Sequence, residues 1–241
     1  MDRGYPAHSE GFMRVLITGA ATPLGQALAA DLSDDYKLRL SDRTLAESDH
    51  EYFRCDLDHD ASTDALVQGV DTIIHQPLGA EDSAACLDAC GRCTYNLLLA
   101  AMGAGVKQVI LISSLDLMRA YDEDMTVSED WRPRPSTEPA VLAIHISEFV
   151  AREFAHDKAL KLLIMRLGHV VDEEQTQGQP FDPMWVETGD AVQAVRAAMS
   201  KDLPGYSIVH IQAESAKARF SVGHAKSWLG YDPQVNFTEA L

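Results

Sequence analysis

Residues 14–32, RVLITGAATPLGQALAADL, read as a strand, a glycine turn and a helix. Gly19 can turn the chain tightly after the strand, and Gly25 lets the helix pack closely on the sheet. Thr22 followed by Pro23 marks the helix start: a capping hydroxyl, then a ring already set for the first turn. With Leu24 and Gly25, this first turn offers free N–H groups and a partial positive charge to an anion. Backbone is presented in this way to the pyrophosphate of a dinucleotide.

The 241 residues suffice for one sizeable domain with a full core, and the 46% hydrophobic content is ordinary for a globular protein. A net charge of −17 argues against a nucleic-acid backbone or an anionic membrane surface as partner. No apolar run reaches the roughly 18 residues a membrane helix needs. The start, MDRGYPAHSEGF, is polar and lacks the apolar centre of a signal peptide. Residues 1–12 are expected to be a flexible extension, with Met13 a candidate translation start, and the protein is expected to be cytoplasmic.

Three of the four cysteines, Cys86, Cys90 and Cys93, spell CLDACGRC, a C-x3-C-x2-C spacing that can ligate an iron–sulfur cluster. The run SAACLDACGRCTYNLLLAAM has helical periodicity, so its thiols lie along a helix and cannot wrap a cluster as a loop can. Buried thiols in a reducing compartment are expected, and no metal site.

Downstream, apolar runs alternate with amphipathic stretches. Strands are expected at 15–18, 37–40, 51–55, 72–75, 108–113 and 162–167. Helices are expected at 24–32, 62–68, 81–104 and 139–155. This order implies an α/β fold, a doubly wound parallel sheet with helices on both faces. Residues 118–138 read as an acidic, proline-bearing loop across the carboxyl edge of the sheet, and 172–183 as a second polar loop. A helix is expected at 190–199 with Asp190 as its N-cap, a strand at 207–212 and a short helix at 222–229. No linker divides residues 13–241, which read as one domain.

The second strand runs into RLSDR, placing Asp42 23 residues after Gly19. A carboxylate there accepts both hydroxyls of an adenosine ribose and repels a 2′-phosphate, favouring NAD over NADP. Arg43 pulls the other way, since a guanidinium can reach a 2′-phosphate.

With these residues in place, the chain resembles the extended short-chain dehydrogenase/reductase superfamily, specifically its NAD-dependent epimerase/dehydratase group. The likeness is carried by TGAATPLG, LSD at 40–42, CDL at 55–57, TYNLLLAA at 94–101, VILISS at 109–114, SEDWRPRP at 128–135 and MRLGHV at 165–170. LRLSD and the closing LGYDPQ are similar to the uronate dehydrogenase branch. The resemblance implies a Rossmann domain with a small carboxyl-terminal substrate-binding part, here reduced and formed by about 170–241. It implies that Gly19 and Gly25 flank the pyrophosphate, that Asp42 holds the ribose and that Asp56 and Leu57 border the adenine. It also places Ser114 where the family carries its catalytic serine or threonine. Family members often dimerise, which here corresponds to a homodimer through the 81–104 and 139–155 helices.

Two departures stand out. The loop of the family is usually G-x-x-G-x-x-G, and Thr22 occupies the middle glycine position, where it either crowds the phosphates or donates a hydroxyl hydrogen bond to them. Family chemistry also rests on a Tyr-x-x-x-Lys pair, one residue passing the proton and the other lowering its pKa. Between SEDWRPRP and MRLGHV stands PAVLAIHISE, and the pair falls on Ala140 and Ile144. No tyrosine in the chain is followed four residues later by lysine. Substitute proton-transfer groups are few: Ser114 on a substrate oxygen, Asp116 at the strand end, Tyr121 in the acidic loop, and His145, which a helical rotation of about 100° turns from the site.

The residues thus point to an NAD(P)-binding protein without the standard catalytic pair, a non-catalytic or regulatory dinucleotide binder. The alternatives are an oxidoreductase or epimerase on a sugar, uronate or sugar nucleotide using a non-standard acid or base, and an interaction subunit with an empty pocket.

Overall fold

A computed structural model describes residues 12–77, 82–156 and 160–237. Residues 1–11 of the expected 1–12 extension and the first residue of the expected 81–104 helix lie outside the described residues. Seven parallel strands form the central sheet: β1 (Arg14–Thr18), β2 (Lys37–Asp42), β3 (Glu51–Arg54), β4 (Thr72–His75), β5 (Gln108–Ser114), β6 (Lys161–Leu167) and, after a separate short pair, β9 (Tyr206–Ile211). Their spatial order is β3-β2-β1-β4-β5-β6-β9. The order reverses between β1 and β4, which opens a crevice at the carboxyl ends of those two strands.

Both faces of the sheet are covered, so the strands are apolar throughout and successive residues feed two different cores. Val15, Ile17, Ile74 and Ile110 pack with α1 (Pro23–Leu32) and α6 (Thr188–Met199), through Leu28, Leu32, Val192 and Val195. Leu16, Ile73, Val109 and Leu111 pack on the opposite side. There they meet α2 (Ala61–Val67), α4 (Thr94–Ala104) and α5 (Pro139–His156), through Leu66, Leu97, Leu98 and Ala151. One buried charge pair ties α5 to the sheet. Glu148 receives both Arg166 Nε (2.9 Å) and Nη2 (2.8 Å) as well as the Ser113 hydroxyl. Two parallel bonds to a planar guanidinium fix direction as well as distance.

Local chemistry sets the element ends. Asp60 accepts from Ser62 N and Thr63 N at the start of α2, and Gly105, at φ 78°, ends α4 in the left-handed conformation. The expected single helix over 81–104 is broken in hydrogen-bond pattern. Its parts are α3 (Ser83–Asp88), a π-helical turn (Ala89–Cys93) and α4. The wide turn adds a residue and sets Cys86, Ala89, Cys90, Cys93 and Thr94 inward together. The Asp190 expectation is corrected. Glu187 caps α6, accepting from Gly189 N and Asp190 N. Asp190 is buried and accepts Gln234 N (2.8 Å) and Val235 N (3.1 Å), clamping the tail beyond the last helical turn (Ala225–Leu229).

Two further strands, β7 (His169–Val171) and β8 (Trp185–Glu187), pair in parallel beside the sheet's carboxyl edge. The 172–183 loop joins them and contains a short 3-10 turn, Glu173–Thr176. Gly168 makes this pair possible. A Cβ there would lie 2.0 Å from the Met184 carbonyl oxygen, so only glycine lets the chain pass. The loop after β5 is pinned rather than free: Val127 forms a parallel bridge to Phe220, and both pack with Leu115, Leu117, Met118, Tyr121 and Met184.

Replacing Asp190 with alanine removes two hydrogen bonds to a buried carboxylate and leaves two donors unmatched. Unfolding free energy in urea should fall by roughly 1.5–3 kcal/mol, with the largest loss of amide protection in residues 230–237.

Candidate functional site

The cleft at the β1–β4 reversal is built by the glycine turn. Gly19 sits at φ 71°, and a Cβ on Gly25 would meet Gly19 O at 2.2 Å and Ala20 Cα at 2.8 Å. The Thr22 hydroxyl folds back onto its own turn. It accepts Gly25 N at 3.0 Å and donates to Gly19 O at 2.8 Å, with Gln76 Oε1 3.3 Å away. Ala20 N donates to Ser41 O and Ala21 N to Asp42 Oδ2. Pro23 has no N–H. Among the described residues, the Gly19 and Leu24 N–H groups of this turn find no acceptor.

Asp42 is nearly buried. Its Oδ2 accepts Ala21 N at 3.1 Å and its Oδ1 accepts Thr44 N at 3.2 Å, which ties the end of β2 to the glycine turn. Gly19, Asp42, Arg43, Asp56 and Leu57 line one cleft together with Ser41, His75, Gln76 and Cys93. The structure thus brings those five expected residues together, with Thr22, Pro23, Leu24 and Gly25 on the turn above. The Arg43 guanidinium lies 3.9 Å from Cys93 Sγ. Leu57 takes φ 55°, an unusual conformation for a branched side chain.

Sequence reasoning did not single out His75 and Gln76. His75 bridges Thr18 Oγ1 (2.8 Å) and Thr94 Oγ1 (3.0 Å), and burial lowers its pKa to about 3, so it stays neutral. Gln76 N donates to Thr18 Oγ1 at 3.2 Å. These contacts lock β4 to β1 beneath the cleft. Burial pushes Cys90 up to about 12 and also raises Cys93, so neither thiol is a ready nucleophile. Among the described residues no group of three or more histidines, cysteines or carboxylates is arranged to hold a metal ion.

A second group gathers at the end of β5. Ser114 Oγ accepts Asp116 N (3.0 Å) and donates to Asp116 Oδ2 (3.1 Å), capping the 3-10 turn Leu115–Met118. Both Asp116 oxygens lie 3.3 Å from His169 Nε2, and Arg119 Nη1 donates to Oδ1 at 3.2 Å. His169 Nδ1 is 2.6 Å from Asp182 Oδ2. The imidazole therefore lies between two carboxylates. Asp116, and then Asp182, raise its pKa to about 9 against partial desolvation, and His169 in turn lowers that of Asp116. His169 and Asp182 carried no signal of spacing: they are joined only by the fold, as β7 passes beside Met184.

The other expected substitutes sit elsewhere. Tyr121 is buried, donates its hydroxyl to Arg132 O at 2.7 Å, and packs edge-on against Trp131 and under the Arg134 guanidinium. Its phenol is held by a backbone carbonyl, and the acidic loop does not present it as a free acid. His145 is half-buried, and its Nδ1 is buried without a partner among the described residues. Ala140 is exposed, and Ile144 packs into the apolar cluster with Leu115, Met118 and Tyr121.

No described helix is long and apolar enough to cross a membrane. Residues 15–188 match the model of the NAD dependent epimerase/dehydratase family, and the chain belongs to that family. It is 28% identical to a uronate dehydrogenase of Pseudomonas putida, over 92% of this chain and 84% of the relative. It is 25% identical to an NAD-dependent glucose-6-phosphate dehydrogenase of Haloferax volcanii, over 93% and 94%. Among solved structures, the uronate dehydrogenase of Agrobacterium tumefaciens, as a tyrosine-to-alanine mutant complexed with NAD, superposes with a TM-score of 0.82. It is 23% identical and is matched over 94% of this chain and 86% of that one.

The two-carboxylate bridge on His169 carries a pH signature. A raised folded pKa means full stabilisation below the ordinary histidine value of 6.5 and loss as pH rises through about 9. Thermal stability should therefore decline across that interval, and His169→Gln should flatten the decline.

Proposed function

We propose that this member of the epimerase/dehydratase family binds NAD(H) in the cleft at the β1–α1 turn and does not carry out sugar-alcohol oxidation by the tyrosine–lysine route. The carrying observation is the pair Ala140 and Ile144 in the register set by SEDWRPRP and MRLGHV, with Ile144 committed to an apolar cluster. Neither side chain can move a proton. A positioned acid–base group is worth about 10²–10⁴ in rate, so that route is severely slowed.

The residues fit the coenzyme with a thinned set of donors. Gly25 leaves the close approach open, since a Cβ would fill it. Gly19, Thr22, Pro23, Leu24 and Gly25 cradle the pyrophosphate. The Gly19 and Leu24 N–H groups and the α1 dipole supply the attraction, and the Thr22 hydroxyl can turn from Gly19 O toward a phosphate oxygen. Asp42 holds the adenosine ribose and favours NAD over NADP, while Arg43 lies toward Cys93. Asp56 and Leu57 border the adenine. The bound coenzyme would supply or accept a hydride. A relative's tyrosine-to-alanine mutant complexed with NAD supports coenzyme binding without that mutant's phenol.

If no other group moves a proton, the coenzyme acts as a regulatory ligand whose occupancy sets shape or partner affinity. One feature favours a second reading, an oxidoreductase or epimerase on a sugar, uronate or sugar nucleotide. It is the chain Ser114–Asp116–His169–Asp182, a different proton-carrying group at the family's serine position.

We also propose a homodimer through α4 and α5. Tyr95, Met102 and Phe149 are large hydrophobic side chains left exposed on these helices, and Tyr95 packs edge-on against Phe154. In solution the mass should be twice the 26.4 kDa of the chain, and a 26.4 kDa species at every concentration would reject the pairing.

Calorimetric titration tests the coenzyme. NAD should bind at least about tenfold tighter than NADP, and Asp42→Ala should erase that preference. Absence of binding by either dinucleotide would leave the interaction-subunit reading. With NAD bound, glucuronate, glucose and UDP-glucose should give no oxidation at neutral pH, and robust oxidation of any of them would refute the loss of the route.

A further inference from the structure

We infer that His169 is the proton donor of a carbonyl-reducing site, with Ser114 as the second hydrogen-bonding group on the substrate oxygen and Asp182 as the residue that positions the imidazole. The inference rests on the NAD(H)-binding reading above and goes beyond it, because it assigns the proton to a residue outside the missing pair and gives the reaction a direction.

The geometry carries the assignment. His169 opens β7 directly after Gly168, and its backbone is fixed from both sides. Gly168 N donates to Ile211 O at 2.8 Å and His169 N to Met184 O at 2.9 Å. The two ring nitrogens are held unequally. Nδ1 makes a short contact of 2.6 Å to Asp182, as an orienting carboxylate does, whereas Nε2 has only two long contacts of 3.3 Å to Asp116. The side chain is 34% exposed, so the ring is open on one side. Asp116 also holds the Ser114 hydroxyl, which brings a neutral donor and the Nε2–H onto one carboxylate at the carboxyl end of β5. A carbonyl oxygen that displaces the long Asp116 contact meets both donors.

The surrounding charges decide whether the group acts as acid or base. Asp116 faces the ring from the turn after β5, with Arg119 also on its Oδ1, and Asp182 faces it from the segment before β8. Two carboxylates outweigh one guanidinium that does not contact the ring. The imidazole therefore holds its proton through neutrality, in line with its upward shift to about 9. A protonated group can give a proton but cannot take one from an alcohol. The site thus suits reduction of an aldehyde or ketone near pH 7, and the reverse oxidation only in alkaline solution.

In the forward direction the C=O π bond breaks. A reduced dinucleotide held by the Gly19–Gly25 turn would supply the hydride to carbon, and His169 Nε2 gives its proton to oxygen. An alcohol and a neutral imidazole result, and solvent reprotonates the ring. Carbonyl is reduced and dinucleotide is oxidised, with no further co-reactant. An alternative role for the same contacts is a purely structural pin between the two carboxyl-edge loops.

The test combines a ring titration with NADH consumption. In protein labelled with ¹⁵N-histidine and free of coenzyme, the His169 ring should titrate near 9 and move downward in Asp182→Asn. With NADH, a panel of glyceraldehyde, diacetyl and 5-ketogluconate should show reductase activity that falls above about pH 9. His169→Gln should lower kcat by about 10²–10⁴ while leaving the NADH dissociation constant within about twofold, and Asp182→Asn should shift the alkaline limb to lower pH. A structural pin would move thermal stability but leave the pH profile of the residual rate in place. An unchanged kcat in His169→Gln overturns the proposal. So does absence of NADH consumption with every carbonyl of the panel while NADH binds, an outcome that leaves the coenzyme reading standing. Failure of NADH to bind at all overturns that reading first.

Discussion

Two places where backbone crosses backbone with no room for a side chain govern the functional edge of this sheet. At the first, Gly25 on α1 lies against the Gly19 carbonyl. At the second, Gly168 lies against the Met184 carbonyl. The first crossing brings a helix N-terminus down onto the end of β1 and forms the coenzyme cleft. The second delivers His169 to Asp116 and Asp182. Any Cβ at either place would need main-chain movement, since neither neighbour is the far end of a flexible side chain. The two arrangements are in this sense products of excluded volume before they are products of charge.

Charge then differentiates the two places. In the coenzyme cleft most of the turn's donors are already used within the chain: by Ser41 O, by Asp42 and by the Thr22 hydroxyl. The turn leaves fewer N–H groups unmatched than a glycine at position 22 would, because the Thr22 hydroxyl takes the Gly25 N–H and makes a firmer helix start. At the β5 edge the balance is reversed. A cation is held between two carboxylates inside a chain of net charge −17, and the surrounding negative potential adds to the local pairs in keeping it protonated.

Much of this was legible from residues alone, and the limits have physical causes. The turn at 19–25 could be read because each of its residue types has a single backbone use: glycine for close approach, threonine and proline for a helix start. The buried parallel strands showed as apolar runs because both of their faces are covered. Strands β7 and β8 were missed because three residues carry no usable period, and their pairing depends on Gly168 passing Met184. Asp190 reads as a cap from its place before an apolar helix. Only the fold shows Glu187 taking that role while Asp190 turns to the tail. The π-helical turn likewise leaves the periodicity of the long helix almost unchanged while rotating the residues of α4 about the helix axis. His169 lies 53 residues from Asp116 and 13 from Asp182, and no local pattern links them. Tyr121 illustrates the converse: a chemically competent residue whose hydroxyl is claimed by a main-chain carbonyl.

The widened turn at Ala89–Cys93 has a practical corollary. Together with Cys55, the inward-facing sulfurs make four cysteines outside any disulfide, all buried. A reagent such as a maleimide or Ellman's compound meets them only when the chain opens. Labelling kinetics, followed by mass spectrometry on intact protein, thereby become a native clock for breathing of the coenzyme side of the molecule, and no probe need be engineered into it.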